Sequence, residues 1–269
     1  MKHFEGHGDH WNALGFEDDE ILGIIPESIE KGTLLRKYIS ELSDNSKISP
    51  ILYPESNAVR ICSLIVSRNN QNTAEAFYPV LEGVKNEIII DEKFTWGNNL
   101  EGEIEASCRD KINLSFFAPF YKHNFSNMEK GEKVDIYLSG LAFSVEKAIM
   151  ELEIEEGPLY EMALRDFIKD NPQKTKNDFP FVPVRMDGAV ILFPTDTCAL
   201  YEYRGIIHDL EHVTFLGKNI IKAKAPLVKD DDGYDVFANL YFFEGNAKDC
   251  DFKIGDEIQC VIWLTGYIN

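Results

Sequence analysis

The sequence predicts a mainly β protein with a few helices, an α+β chain of two tandem related antiparallel β-barrel or sandwich (OB-like) units joined by a helical segment. Short apolar, β-branched runs punctuated by Gly, Asn and Asp are the first observation that predicts it. A repeated phrase is the second. Gly131-Glu132 leads through an apolar run to Leu138-Ser139-Gly140, and Gly255-Asp256 leads through another to Leu264-Thr265-Gly266. Duplication explains this echo, and chance similarity is the alternative.

The predicted organisation has four parts. They are an N-terminal segment with an amphipathic helix (1–50), a first β unit (51–147), a helical connector (148–178) and a second β unit (179–269). With 269 residues, 44% of them hydrophobic, the chain is long enough to bury a sizeable core. In the first part, apolar residues at helical spacing predict a helix within 27–43. They are Leu35, Tyr38, Ile39 and Leu42.

Six strands are predicted in the first β unit from β-branched and aromatic runs. They cover 59–66, 77–84, 87–91, 102–108, 112–117 and 134–143. Gly97-Asn98-Asn99 predicts a turn between the third and fourth of them.

Two helices are predicted between the β units. The first begins at Ser144 as N-cap and presents Val145, Ala148 and Leu152 on one face. The second begins at Pro158 and ends before Asn171-Pro172.

The second β unit is predicted to contain several strands. They cover 182–186, 189–193, 198–207, 213–216, 219–225, 234–243 and 257–268. Asp187-Gly188 predicts a hairpin between the first two, and the acidic run 230–233 predicts another turn.

The charge balance limits the partners. With 27 basic and 46 acidic residues the formal net charge is −19. Such a field repels phosphate backbones and anionic membranes, so nucleic acid is an unlikely partner and no membrane is expected. A basic protein is the partner that this field attracts.

The five cysteines form no Cys-x-x-Cys motif, which indicates small buried hydrophobes in a reducing compartment. The polar N-terminus lacks the apolar core of a signal peptide. No apolar run reaches the roughly 20 residues of a membrane span. A cytoplasmic location is therefore expected.

The sharpest motif match is His208-Asp209-Leu210-Glu211-His212, which fits the inverted zincin pattern H-x-x-E-H. That chemistry needs a helix, because only the helical period brings His208 and His212 to one face. Strand-like runs on both sides predict a loop here. Two histidines in an acidic surface loop are the simpler interpretation, and zinc is the alternative.

A second group of possible metal ligands lies at the N-terminus, where His3, His7 and His10 accompany Asp9. Imidazole and carboxylate groups are good ligands for zinc, nickel or copper. A polar terminus without metal is the favoured interpretation, so no cofactor is expected.

Three aromatic residues are candidates for ligand binding by stacking: Tyr121, Tyr241 and Phe243. Rings on OB-like barrels stack on the bases of single-stranded nucleic acids, although such sites also need a basic groove. Core packing is the competing role.

The sequence contains no Walker A, G-x-S-x-G or G-x-G-x-x-G motif. The leading hypothesis is therefore a cytoplasmic, non-enzymatic binding or protein-interaction module with an acidic surface. The alternatives are a metal-dependent hydrolase that uses a histidine and carboxylate cluster, and an OB-like binder of single-stranded nucleic acid.

Overall fold

The computed structural model describes residues 7, 10–42, 45–69, 71–108, 112–229, 235–247 and 251–269. Within them the chain forms three α-helices: α1 (Asp18–Lys31), α2 (Tyr121–Asn124) and α3 (Pro158–Asp170). The strands are β1 (Thr33–Leu34), β2 (Ser40–Glu41), β3 (Lys47–Tyr53), β4 (Val59–Arg68), β5 (Gln71–Leu81), β6 (Val84–Thr95), β7 (Gly102–Cys108), β8 (Ile112–Phe117), β9 (Lys133–Lys147), β10 (Glu151–Ile154), β11 (Val182–Arg185), β12 (Ile191–Pro194), β13 (Leu200–Ile206), β14 (Asp209–Phe215), β15 (Lys218–Lys229), β16 (Asp235–Phe243) and β17 (Glu257–Tyr267). The predicted class, mainly β with a few helices, is confirmed. The turn predicted at 230–233 lies outside the described residues.

The main sheet has ten strands in the order β12-β13-β17-β8-β7-β6-β9-β16-β15-β14. Because β17 also pairs with β9, the five strands β6, β7, β8, β17 and β9 close into a barrel. Closure leaves these strands without a free edge. Side chains that point inward, such as Phe116 and Leu138, belong to the hydrophobic core of the barrel.

The two copies of the repeated phrase pair with each other at the centre of this sheet. Ser139 on β9 lies opposite Thr265 on β17, and their hydroxyl oxygens are 3.0 Å apart. The barrel therefore takes strands from both predicted β units. That the units arose by duplication, that they are OB-like and that they divide at the predicted boundaries all stay predictions.

A smaller sheet of β1 to β5 covers one outer face of the barrel. Its strands pair in the order β1-β3-β4-β5, with β2 also on β3, and α1 contacts β3 and β4. Strand alternation sends Phe116 into the barrel and its neighbour Phe117 outward. Phe117 and Trp263 therefore belong to a second core, between the barrel and the smaller sheet.

The N-terminal helix lies earlier in the chain than predicted. It spans Asp18–Lys31, and the predicted stretch 27–43 mostly contains short strands and the 3₁₀ turn Arg36–Tyr38. Glu17 and Glu20 form a reciprocal capping box at the start of α1, and its first turn is acidic. These carboxylates stabilise the N-terminal end of the helix dipole. The apolar spacing of Leu35, Tyr38, Ile39 and Leu42 does not decide where this helix lies, because the capping box fixes its start at residue 18.

Three further local predictions are wrong or incomplete. The helix predicted from Ser144 is instead the end of β9 followed by β10, since backbone pairing overrides the helical spacing of the side chains. Asp187-Gly188 does not turn a hairpin, because β11 pairs with β10 and β12 pairs with β13. The predicted strands do not include β3, whose span contains Pro50. The second connector helix, α3, begins at Pro158 as predicted.

No helix in the part of the chain that the structure describes is both long and apolar enough to cross a membrane.

Candidate functional site: an aromatic pocket

The N-terminal segment, residues 10–16, lies against the second core and fixes one wall of a pocket. The carbonyl of Trp11 accepts the N–H groups of Leu14 at 3.0 Å and Phe16 at 3.1 Å. Gly15 ends this turn with φ of +79°, in the left-handed region that favours glycine. A Cβ at Gly15 would lie 2.6 Å from the Phe243 ring, so only glycine fits this approach without displacement.

The turn between β6 and β7 builds the opposite wall. The Asn98 Oδ1 atom accepts the N–H groups of Leu100 at 2.9 Å and Glu101 at 3.2 Å. The backbone N–H of Trp96 donates to the backbone carbonyl of Glu101 at 3.0 Å. This side-chain-stabilised turn holds both ends of the loop inward. As a result Trp96 is only 5% exposed and Glu101 only 3%.

Glu101 is a buried carboxylate with two side-chain partners. His7 Nε2 donates to its Oε1 at 2.7 Å, and Asn98 Nδ2 donates to its Oε2 at 2.6 Å. Burying a charged group is costly unless such partners replace water. The His10 backbone N–H donates to the His7 carbonyl at 3.1 Å. The contact between residues 7 and 101 therefore ties the N-terminal segment to the β6–β7 turn.

His7 and His10 lie in an aromatic environment. The ring of His7 has its centroid 5.1 Å from that of Phe117 and 5.3 Å from that of Trp96. His10 stacks on Trp263 with a centroid separation of 3.6 Å. Burial, with a smaller contribution from the neighbouring His7, lowers the pKa of His10 to about 3. His10 is therefore neutral at ordinary pH.

These elements line an open cavity of about 580 Å³ between the N-terminal segment, α1, β5 and the β6–β7 turn. The buried or half-buried residues that form its floor and walls are His7, Trp11, Ile21, Ala76, Phe77, Trp96 and Glu101. The exposed residues at its rim are Asp18, Leu22, Glu75 and Asn98.

Several buried ring nitrogens around this cavity lack a hydrogen-bond partner among the described residues. They are Nδ1 of His7 and His10 and Nε1 of Trp11 and Trp96. An unsatisfied buried donor costs about 1–3 kcal/mol, so such groups are rare without a reason. Each of these nitrogens is shielded from solvent, so none of them faces the open space of the cavity.

The described lining contains polar side chains of three kinds. It contains one histidine, three carboxylates and one amide, with no hydroxyl, thiol or amine side chain to act as a nucleophile. The His7–Glu101 pair ties two chain segments together across the pocket.

The predicted H-x-x-E-H site falls on a strand. The loop prediction is wrong from Asp209 onward, because β14 begins there. Strand alternation puts Glu211 and His212 on opposite faces, and residues four apart along a strand are separated by roughly 13 Å. Glu211 also pairs with Lys222 at 3.0 Å. His208, Glu211 and His212 are therefore not brought together as metal ligands.

Only part of the predicted N-terminal histidine group lies within the described residues. His3 lies outside the described residues, whereas the rings of His7 and His10 are 6.1 Å apart. Among the described side chains no group of three or more His, Cys, Asp or Glu is arranged to hold a metal ion. A zinc site that includes His3 stays a prediction.

The three predicted stacking residues are in separate places. Tyr121 on α2 belongs to the barrel core, with its hydroxyl 2.6 Å from Thr95 Oγ1. Tyr241 belongs to the second core and donates to the Glu82 carbonyl at 2.9 Å. Phe243 is half-buried against Gly15. They do not form one exposed platform.

Sequence reasoning missed most of the pocket. Trp11, Phe77, Trp96 and Glu101 carry no motif, and their segments are distant along the chain. One usable signal was the tryptophan content. The chain has three tryptophans, and two line the cavity while Trp263 lies beneath His10.

No protein-family model, no curated protein and no solved structure matches this chain. The functional argument therefore rests on the geometry of the pocket.

Proposed function

We propose that the protein is a non-enzymatic binding protein that holds a small organic molecule in the aromatic pocket. The observation that carries this proposal is the cavity itself, about 580 Å³ in volume and walled by Trp11, Phe77 and Trp96. Ligand sites in proteins typically occupy about 300–1,000 Å³ and combine aromatic walls with a few convergent polar groups. The His7–Glu101–Asn98 group supplies the polar part.

The pocket is supported by rigid parts of the fold. Trp11 and Trp96 are 4% and 5% exposed, and each is held by a turn with internal hydrogen bonds. Preformed walls reduce the entropy lost on binding. A ligand that contacts Trp11 also contacts the N-terminal segment, so binding stabilises the docking of that segment by mass action.

The neutral dye N-phenyl-1-naphthylamine tests this proposal, because its fluorescence rises in an apolar pocket. We expect saturable binding to the wild-type protein. Ala76→Trp, which fills the cavity from β5, should weaken dye binding at least tenfold. Ile254→Trp, at a position that is 63% exposed and does not line this cavity, is the matched control and should leave binding unchanged. Equal binding by both variants would contradict the proposal.

A second candidate function, interaction with a basic protein, is favoured by the surface around the connector. Among the described residues, eight of the eleven exposed large hydrophobic side chains lie within residues 149–193. The exposed carboxylates Glu151, Glu153, Glu155 and Glu156 lie in the same segment. Apolar anchors beside negative charge fit a basic amphipathic partner segment.

A synthetic amphipathic helix of lysine and leucine is the probe for this second function, with a glutamate and leucine peptide as its control. We expect salt-sensitive binding of the basic peptide alone, reduced at least threefold by Leu152→Ser together with Leu159→Ser. Binding of both peptides, or binding that the substitutions do not change, would contradict it.

We also propose a cytoplasmic location. It is supported by Cys62, Cys108, Cys198 and Cys260, which are buried and unpaired, as expected in a reducing compartment. Recovery of the protein outside the cytoplasmic fraction of cells would contradict this location.

A further inference from the structure

We infer that the ligand of the aromatic pocket is an organic cation that carries an alkylated ammonium group. This inference rests on the proposed binding function and adds the chemical class of the ligand. It follows from two features of the pocket: the sign of its charges and the arrangement of its rings.

The charges around the cavity are mostly negative. Asp18, Glu75 and Glu101 line it, and no lysine or arginine does so within the described lining. The chain as a whole carries a formal charge of −19, so its field also favours cations. The neutral His10 adds no positive charge beside the pocket.

The two rim carboxylates are available to a ligand. Glu101 already accepts from His7 and Asn98. Asp18 and Glu75 are exposed, and neither has an ion-pair partner within the described part of the chain. They can attract an ammonium group at the mouth without a large desolvation penalty, since they stay in contact with water.

The walls fit a weakly hydrated cation. Trp11 and Phe77 stack with ring centroids 6.4 Å apart and an interplanar angle of 26°, and Trp96 provides a third ring. Ring faces attract a cation within about 6 Å through their quadrupoles, most strongly for tryptophan. A small metal ion would need several oxygen or nitrogen ligands instead, and no such group occurs among the described side chains.

The test compares acetylcholine with 3,3-dimethylbutyl acetate, its uncharged isostere in which carbon replaces nitrogen. Each competes with N-phenyl-1-naphthylamine for the wild-type protein. We expect the cation to bind at least tenfold more tightly than the isostere. Glu75→Gln should weaken the cation about threefold to tenfold and leave the isostere unchanged. Glu41→Gln, at an exposed position on β2, is the matched control and should change neither.

The outcomes separate the two proposals. Equal binding of the two molecules, or binding of the dye with neither molecule competing, overturns the cation inference and leaves the binding function standing. A wild-type protein that binds neither the dye nor the two molecules overturns both. A cation preference that Glu75→Gln does not reduce overturns the role assigned to the rim.

Discussion

Two pairs of histidines in this chain have opposite environments. His7 and His10 lie among aromatic rings beside a buried carboxylate, whereas His208 and His212 are exposed at the edge strand β14. The exposed pair matches a catalytic motif and the buried pair matches none. The difference shows that burial and neighbours, rather than the spacing of residue types, decide where the chemistry of this molecule lies.

The largest expected effect is the loss of folding stability at acidic pH. The pKa of His10 is lowered to about 3 by burial, from 6.5 in the unfolded chain. Its neutral form therefore contributes stability above pH 6.5, and this contribution is lost as pH falls from 6.5 toward 3. At about 1.4 kcal/mol per pKa unit the loss is about 3.5 kcal/mol at pH 4 and approaches about 5 kcal/mol below pH 3. Urea unfolding between pH 7 and pH 4 measures it.

His10→Phe keeps a ring on Trp263 and removes the titration, so its stability should depend less steeply on pH. His212→Phe is the matched control on the exposed pair and should keep the wild-type slope. Identical slopes for all three proteins would show that His10 is not held neutral by the fold.

The second comparison is between two carboxylates, the buried Glu101 and the exposed Glu211. Glu101→Ala removes the buried carboxylate that accepts from the half-buried His7 and from Asn98, and should lower the free energy of unfolding by about 1.5–3 kcal/mol. Glu211→Ala removes an exposed carboxylate from Lys222, which keeps Glu82 as a partner, and should cost less than about 1 kcal/mol. Chemical denaturation of both variants checks this. A similar cost for the two would remove the distinction between the sites.

A smaller effect is expected from two glycines that share a left-handed backbone. Gly15→Ala brings a methyl group against Phe243, whereas at Gly217, with φ of +83°, a Cβ meets nothing within 4 Å. Both substitutions strain the backbone by about 1 kcal/mol, and Gly15→Ala should cost about 1 kcal/mol more. Thermal melts compare them. A larger loss at Gly217 would mean that the turn at Gly15 is not packed as described.

The smallest effect is expected from substitutions in the H-x-x-E-H motif. His208→Ala combined with His212→Ala should change stability by less than about 0.5 kcal/mol, since both side chains are exposed. Dye binding in the aromatic pocket should also stay at the wild-type level. A clear loss of either property would return the motif to consideration as a site.

Much of the fold could be predicted because it depends on local patterns. β7 and β8 have the predicted bounds, since their apolar runs are bounded by turn-forming residues. The end of β9 could not be predicted, because Val145 and Ala148 also satisfy helical spacing. Only pairing with β17 decides between a strand and a helix here, and β17 lies more than 100 residues away along the chain.

The pocket was less accessible to sequence reasoning for a related physical reason. It joins residues from the N-terminal segment, α1, β5 and the β6–β7 turn, and each of its aromatic side chains taken alone resembles an ordinary core residue. The Gly97-Asn98-Asn99 turn was predicted, yet its effect of carrying Trp96 and Glu101 inward depends on hydrogen bonds that appear only in three dimensions.

The most direct test of the binding pocket is ¹⁹F NMR of protein labelled with 5-fluorotryptophan. The chain has three tryptophans, so three resonances can be assigned with single Trp→Phe variants. On titration with acetylcholine or 3,3-dimethylbutyl acetate, we predict saturable shifts of the Trp11 and Trp96 resonances that exceed the shift of Trp263. No saturable shift of Trp11 and Trp96 with either molecule would contradict the account.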